Sequence, residues 1–403
     1  VEKYASVKSI AADRLTESKR RVIAVLRDRG PQTKAFLTEN ARLGWATVVK
    51  VINQLTDEGV IYCAGTTPSN ESHVGNPASL YALRLDRPLA IGIDVEYKTT
   101  RVVLTNLAGE ILKEGTHRTP HHAPKDEVKR FFRDCIEEFV ADGEISASDL
   151  AGIGIGIPGI GFPSRYRKDN AERARELERY LGQIFDTPVR IGTNTHSYAV
   201  FEKWSNDTFP ASDFIFLSIR TGVGTGIFLR GHLYTGMNGL AGEIGHMKVV
   251  ANGSPCRCGS VGCLETVVNQ HYLLQQYRTN VLKDPTWCVQ SDPNCLYDGL
   301  SDLFSRAKAG EKDARAVVDT AARYLGECIA NAMVVLDITN IVMSGHFGED
   351  GDAIVEPMRE VIRERILPNV PFDLRYCSFD PAGYTLGAAL LVLRDFFVDI
   401  PSE

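Results

Sequence analysis

One histidine and three cysteines in this 403-residue chain are spaced to hold a metal. His246 is followed, after nine intervening residues, by Cys256, Cys258 and Cys263 within the run GEIGHMKVVANGSPCRCGSVGCLE, Gly242 to Glu265. An imidazole and three thiolates form a closed tetrahedral ligand set of the kind that binds structural zinc. Three of the nine cysteines fall within eight residues, too dense a cluster for cysteines that merely pack as small hydrophobes. Gly253, Gly259 and Gly262 allow the tight turns that bring the ligands together. Glu243 and Glu265 flank the set. A metal loop that fixes two carboxylates is suited to gripping a polyhydroxylated ligand.

The elements that must position these residues fall into two textures. Residues 1–85 are helical in pattern. Ser18 is placed to cap an amphipathic helix carrying Val22, Ile23, Val25 and Leu26, which Gly30-Pro31 stops. A second helix is expected over Thr33–Ala41, and a third from Trp45 to about Gly59, with Val48, Val51, Ile52 and Leu55 as its packing stripe. Ile61–Cys63 and Ser79–Leu83 read as strands around a Thr/Ser/Asn/Gly-rich loop, Gly65–Pro77. Three helices and a hairpin make a winged helix-turn-helix. From about Arg87 the pattern becomes α/β. Strands are expected at Leu89–Asp94, Arg101–Thr105 and Ile153–Ile157, with a helix over Lys125–Ala141. The same strand order starts again at Phe214–Ser218 and Gly226–Leu229, so two similar halves with a cleft between them are expected. Lys283–Tyr297 reads as an irregular excursion without a role.

Bulk properties narrow the functional class. Composition is that of a globular protein, 44% hydrophobic and 24% charged. Net charge is −6, which argues against a polyanion-binding body. Residues 1–85 hold 12 Lys+Arg against 8 Asp+Glu, a balance of +4, which leaves −10 on the remainder. A basic front on an acidic body suits an anionic partner for the first domain. An odd number of cysteines, clustered as for a metal, fits a reducing cytoplasm. No apolar run has the length of a membrane span, and the charged amino end does not read as a signal peptide.

These motifs together resemble the ROK family of sugar-responsive bacterial repressors and sugar kinases. The carriers are Leu240–His246 continuing through Cys256–Glu265, Gly154-Ile155-Gly156-Ile157-Pro158-Gly159, Thr221–Gly226, and Gly231 to Gly236. The resemblance implies an α/β, actin/hexokinase-like two-lobed fold with an N-terminal winged helix-turn-helix, as in the repressor branch. It implies domains at 1–85, at 86–200 completed by a C-terminal helix 383–398, and at 201–382 with the zinc site and an oligomerisation surface. By resemblance His246, Cys256, Cys258 and Cys263 bind zinc, while Glu243, His246 and Glu265 contact sugar hydroxyls. Family kinases place an Asn-Asp pair after a strand, and its Asp accepts the proton of the attacking hydroxyl. Aligned on the helix that follows, that pair becomes Thr193-Asn194. Asn194 can hydrogen-bond a hydroxyl but is no base; His196 is a conceivable substitute, although a His at a helix start is more often structural or solvated.

The family phosphate loop Asp-x-Gly-Gly-Thr-Lys reads Asp94-Val95-Glu96-Tyr97-Lys98-Thr99, which puts a carboxylate and a ring where backbone amides should meet phosphate. Gly222–Gly226, the second loop, is intact. Ser344-Gly345-His346-Phe347-Gly348 carries His and Phe where the family has small residues near the nucleotide. Phosphorylation is therefore not expected. The expected protein is a cytoplasmic transcriptional regulator of carbohydrate metabolism, a homodimer or homotetramer that binds operator DNA and a sugar or sugar derivative. The alternative is an ATP-dependent sugar kinase with an appended DNA-binding domain. In a helix-turn-helix the second helix enters the major groove, so Thr47, Lys50 and Asn53 are the expected DNA contacts. Lys34, together with Lys19, Arg20 and Arg21, is expected to neutralise phosphates. The wing reads Val74-Gly75-Asn76-Pro77 and lacks the Arg that family repressors often carry there.

Overall fold

The computed structural model describes residues 15–67, 77–96, 98–120, 123–140, 145–158, 167–205, 213–237, 239–284, 293–378 and 380–394. The expected wing residues Val74–Asn76 and the loop residue Tyr97 lie outside them. Two compact units emerge. One comprises 1–158, 170–197 and 382–403; the other comprises 159–169 and 198–381.

The first unit opens with helix α1 (Glu17–Arg29), strand β1 (Gln32–Thr33), α2 (Lys34–Asn40), α3 (Trp45–Asp57), β2 (Ile61–Thr66) and β3 (Ser79–Leu83). β1, β3 and β2 form one small antiparallel sheet in that order. The cap of α1 is Thr16, whose hydroxyl accepts from the Lys19 amide, and not Ser18. Thr16 is the residue with extended backbone just outside the helix, the geometry a capping side chain needs. In α3 the buried residues are Val48, Val51, Ile52 and Leu55, one stripe at helical spacing that packs toward α1 and α2. Lys19 departs from its expected role. It is buried and its ammonium pairs with Glu58, just after α3, so it is a structural cation rather than a phosphate contact.

The α/β part of this unit holds β4 (Leu89–Val95), β5 (Thr99–Asn106), β6 (Ile111–Arg118), α4 (Lys125–Val140), β7 (Leu150–Ile157), α5 (Arg167–Phe185) and β8 (Val189–Thr193). Helix α6 (Asn194–Trp204) follows directly. The sheet order is β6-β5-β4-β7-β8, antiparallel through β5 and parallel from β4 to β8. Alternation along β4 and β7 explains the Gly-Ile repeat. Ile91, Ile93, Ile153 and Ile155 enter a core with Phe132, Ile136 and Leu181. Gly92, Gly152 and Gly154 face α12 (Pro381–Leu393) on the other side. A Cβ on Gly154 would lie 1.7 Å from the Ala388 carbonyl oxygen, and one on Gly92 2.5 Å from that of Thr385. The helix therefore rests on backbone, a distance only glycine permits. The described part of this C-terminal helix ends at residue 393.

The second unit repeats the plan with β9 (Phe214–Ile219), β10 (Val223–Leu229), β11 (His232–Tyr234), α7 (Glu265–Val268), α8 (Gln270–Gln276), α9 (Pro293–Lys308), α10 (Lys312–Leu336), β12 (Asn340–Gly345), α11 (Val355–Arg365) and β13 (Asp373–Ser378). Its sheet order, β11-β10-β9-β12-β13, matches that of the first. Three antiparallel strands continued by parallel ones, twice over, are the duplicated sheet of the actin/hexokinase-like fold. Helix α9 begins at Pro293, so the end of the expected irregular excursion is helical; 285–292 lie outside the described residues. Among the described residues no helix is long and apolar enough to cross a membrane.

Candidate functional site

The four expected metal ligands are brought together by local hydrogen bonding in the second unit. β9 and β10 pair in register, and the β10 residue Thr225 binds the Gly242 carbonyl twice, from its amide at 2.8 Å and its hydroxyl at 2.9 Å. Those bonds fix the start of the Glu243 segment. A single 3₁₀ turn, Ile244–His246, then aims the imidazole. Bridges of Lys248 with Cys263 and Pro255 with Val261 fold the loop back on itself. The Leu264 amide closes the knot on the Met247 carbonyl at 2.8 Å. Gly259 and Gly262 take φ of 90° and 73°, which a side chain would strain.

As a result the ligand atoms of His246, Cys256, Cys258 and Cys263 all lie within 4.8 Å of one another. Cys256 Sγ is 3.5 Å from His246 Nδ1, and Cys258 Sγ is 3.7 Å from Cys263 Sγ. This is a cluster able to hold a metal ion. Burial pushes the Cys256 and Cys263 thiols up, with Glu265 beside Cys256 and Cys258 beside Cys263 reinforcing it. At Cys258 burial is outweighed by the Ser260 amide and the neighbouring thiols, and the group is lowered.

The expected sugar carboxylates share this scaffold. His246 Nε2, on the ring edge away from the cysteines, is 3.5 Å from Glu243 Oε2. Its Nδ1 lies 3.7 Å from Glu265 Oε1. Glu265, the first residue of α7, is almost fully buried, whereas Glu243 is about one-quarter exposed. The two carboxylates thus flank the imidazole, Glu243 at Nε2 and Glu265 at Nδ1, where Glu265 Oε1 also lies 3.0 Å from Cys256 Sγ. Arg257 was not among the expected site residues. Its Nε and Nη2 each sit 3.2 Å from a different oxygen of Glu265.

Asn194 belongs to the first unit, as the opening residue of α6. Its carboxamide donates to Asp94, at the end of β4, and to the Val95 carbonyl at 3.0 Å. Asp94 and Asn194 are both buried. Two carboxylates at this separation would require a proton or a cation between them; an amide and a carboxylate require neither. His196 is buried and its amide donates to the Thr193 hydroxyl at 3.2 Å. The Glu96 carboxylate is held by Arg101 at 2.9 Å. Phe347, expected near a nucleotide, is fully buried and stacks on Phe304 with ring centroids 4.2 Å apart, so it is a core residue.

On α3, Thr47, Lys50 and Asn53 are all exposed, and Trp45 stands 56% exposed at the helix start. Lys34 is half-buried at the start of α2, with its ammonium 5.2 Å from the centre of the Tyr81 ring.

Residues 90–395 match the model of the ROK family. The chain belongs to the ROK family. A xylose repressor of Caldicellulosiruptor bescii is 27% identical over 380 residues, 93% of this chain and 94% of the relative. The Escherichia coli DNA-binding transcriptional dual regulator NagC is 24% identical, over 84% of this chain and 82% of its own length. A glucokinase of Halalkalibacterium halodurans is 30% identical but covers only 70% of this ROK chain. The solved structure of a ROK family transcriptional regulator, a homolog of the E. coli MLC protein, covers 94% of the chain with a TM-score of 0.76 at 23% identity. The glucokinase from Streptomyces griseus covers 75% with a TM-score of 0.58 at 21% identity. The xylose repressor thus extends over nearly the whole chain, whereas these two glucokinases leave a quarter or more of it unmatched.

Proposed function

We propose that this ROK protein is a DNA-binding transcriptional regulator of carbohydrate metabolism, a repressor controlled by a sugar or sugar derivative, with kinase activity lost. The observation that carries the reading is the amide of Asn194 spent on Asp94 in a chain that presents an exposed α3 face. The position that needs a proton acceptor holds a donor instead, already bonded to the other acid a kinase would use. An Asn side chain does not accept the hydroxyl proton at neutral pH. The near-full-length likeness to repressors, helix-turn-helix segment included, supports the same reading.

In this account Thr47, Lys50 and Asn53 enter the major groove, with Lys34 flanking them at the phosphates. The protein acts in the cytoplasm as a homodimer or dimer of dimers on a palindromic operator. Glu243, His246 and Glu265 accept the hydroxyls of the effector. The effector switches DNA binding only if its affinity differs between DNA-competent and DNA-incompetent states.

The knot is read as a structural zinc site. Zn–S bonds of about 2.3 Å and a Zn–N bond of about 2.0–2.1 Å in a tetrahedron demand S···S and S···N edges near 3.8 and 3.6 Å. The separations of 3.7 and 3.5 Å fit them. Bound there, zinc supplies charge for three thiolates and a fixed frame; all four donors are protein atoms, which suits a structural role. His246 would then offer Nε2 to the ligand side with its tautomer fixed by coordination at Nδ1.

The test is binding of the full chain to genomic DNA fragments, together with a coupled ADP-release assay on a hexose and pentose panel. Operator footprints without turnover are expected. Sugar-dependent ADP release, lost in Glu243→Ala, would establish the kinase alternative instead.

A further inference from the structure

We infer that Arg257 is an internal stand-in for the effector, occupying the hydroxyl-accepting edge of Glu265 until a ligand with two adjacent hydroxyl groups displaces it. The inference deepens the proposed sugar reading and rests on it. Three observations carry it. First, Nε and Nη2 of Arg257 face Oε1 and Oε2 of Glu265 at 3.2 Å each, a parallel two-donor fork on one carboxylate. A vicinal diol offers a carboxylate the same pattern, two parallel donors on neighbouring atoms. Second, the two partners differ in exposure. The Glu265 side chain is 5% exposed and the Arg257 side chain 44%. The carboxylate is built in, while the guanidinium reaches it from solvent and can return there.

Third, room for the fork is made by a missing side chain. A Cβ on Gly222, in the β9–β10 turn, would lie 2.5 Å from Arg257 Nη2 and 3.4 Å from Glu265 Oε2. Gly222 is thus the floor on which the guanidinium lies. Arg257 itself stands between two metal-ligating cysteines, so its backbone is anchored while its far end is free to swing.

The site's charge also selects the ligand. Glu243 and Glu265 bring two negative charges and Arg257 one positive, and release of the arginine leaves both carboxylates facing the ligand. A neutral polyol with an unblocked diol is favoured, and an anionic sugar acid or sugar phosphate is disfavoured. Because the fork must open before Glu265 can be used, affinity in the wild type is lowered by the fraction of molecules in which it is closed.

The test uses the full chain and isothermal titration with D-xylose, D-glucose and N-acetylglucosamine. Arg257→Gln should bind the sugar that the wild type binds about three- to tenfold more tightly. Gly222→Ala, which pushes the guanidinium off Glu265 without altering either partner, should shift affinity the same way. Metal content and Tm equal to wild type identify the variants as folded, and Gly222→Ala keeps the test alive if Arg257→Gln disturbs the knot. Weaker binding in both variants would make Arg257 a direct ligand contact and overturn the stand-in. Unchanged affinity would make the pair purely structural and overturn it too. If the wild type and both variants bind no sugar, the effector reading falls and the stand-in with it. Binding by wild type without a gain in either variant removes only the stand-in.

Discussion

Replacing Asn194 by Asp puts an acid where the proposed reading has a kinase's base missing, and the surroundings of Asn194 predict a loss of stability. The Asn194 carboxamide donates to Asp94 and to the Val95 carbonyl, both in a buried setting. Asn194→Asp removes both donated bonds and sets a second carboxylate against Asp94 and a carbonyl oxygen. Losing a hydrogen bond to an ionised acceptor costs about 1.5–3 kcal/mol. Repulsion adds to this until one of the two acids holds a proton. The expected deficit at pH 7.5 is about 2–4 kcal/mol. An acid that becomes harder to ionise on folding contributes a deficit that grows as pH rises above the unfolded carboxyl value of about 4, so the gap to wild type should be smaller at pH 5 than at pH 7.5. Urea unfolding at pH 5 and 7.5 with EDTA present measures this, alongside ADP release with Mg-ATP and sugars. Equal stability of variant and wild type at pH 7.5 would refute the buried amide–carboxylate pair. Turnover by the variant would refute the claim that the altered first phosphate loop, Asp94–Thr99, also prevents phosphorylation.

Other expectations follow from the same coordinates. Cys258→Ser should lower bound metal from one ion per chain to a small fraction, by atomic emission, and abolish the sugar response before DNA binding; full retention of metal would remove Cys258 from the ligand set. Lys50→Ala should weaken operator binding and reduce the salt dependence by about one counterion if Lys50 meets a phosphate. A loss concentrated at one operator base pair would place it on a base edge instead. Lys19→Ala should destabilise the helix-turn-helix by about 1–3 kcal/mol, since it strips the partner from Glu58 in a mostly buried pair. A salt-slope change with an unchanged melting profile would return Lys19 to the phosphate contacts.

The contrast between Lys50 and Lys19 shows what could be read in advance. The α3 stripe of Val48, Val51, Ile52 and Leu55 is periodic and local, so its burial follows from helical geometry, and so does the exposure of Lys50. Lys19 carries no such signal. Its burial depends on Glu58, 39 residues away. The clustering of His246, Cys256, Cys258 and Cys263 was legible because donor type and spacing signal it directly, and the Gly-Ile repeat signalled a buried strand but not which element the glycines admit. That element, α12, lies more than 200 residues further along the chain. Arg257 was missed for a similar reason. Its fork needs Glu265 eight residues on and the empty place at Gly222, and only the folded chain superposes the three. Asn194 was singled out by the acid expected at its position, whereas its bond to Asp94 joins residues 100 positions apart. The Thr16 cap and the start of α9 at Pro293 were boundary matters, decided by backbone geometry at single residues.

Footprinting of the full chain on genomic DNA, repeated across a titration of D-xylose, D-glucose and N-acetylglucosamine, tests the central claim most directly. The account predicts protection of a palindromic site near carbohydrate genes, relieved by one of these sugars in wild type and not in Glu243→Ala. Protection that no sugar alters, or no protection at low salt, would contradict it.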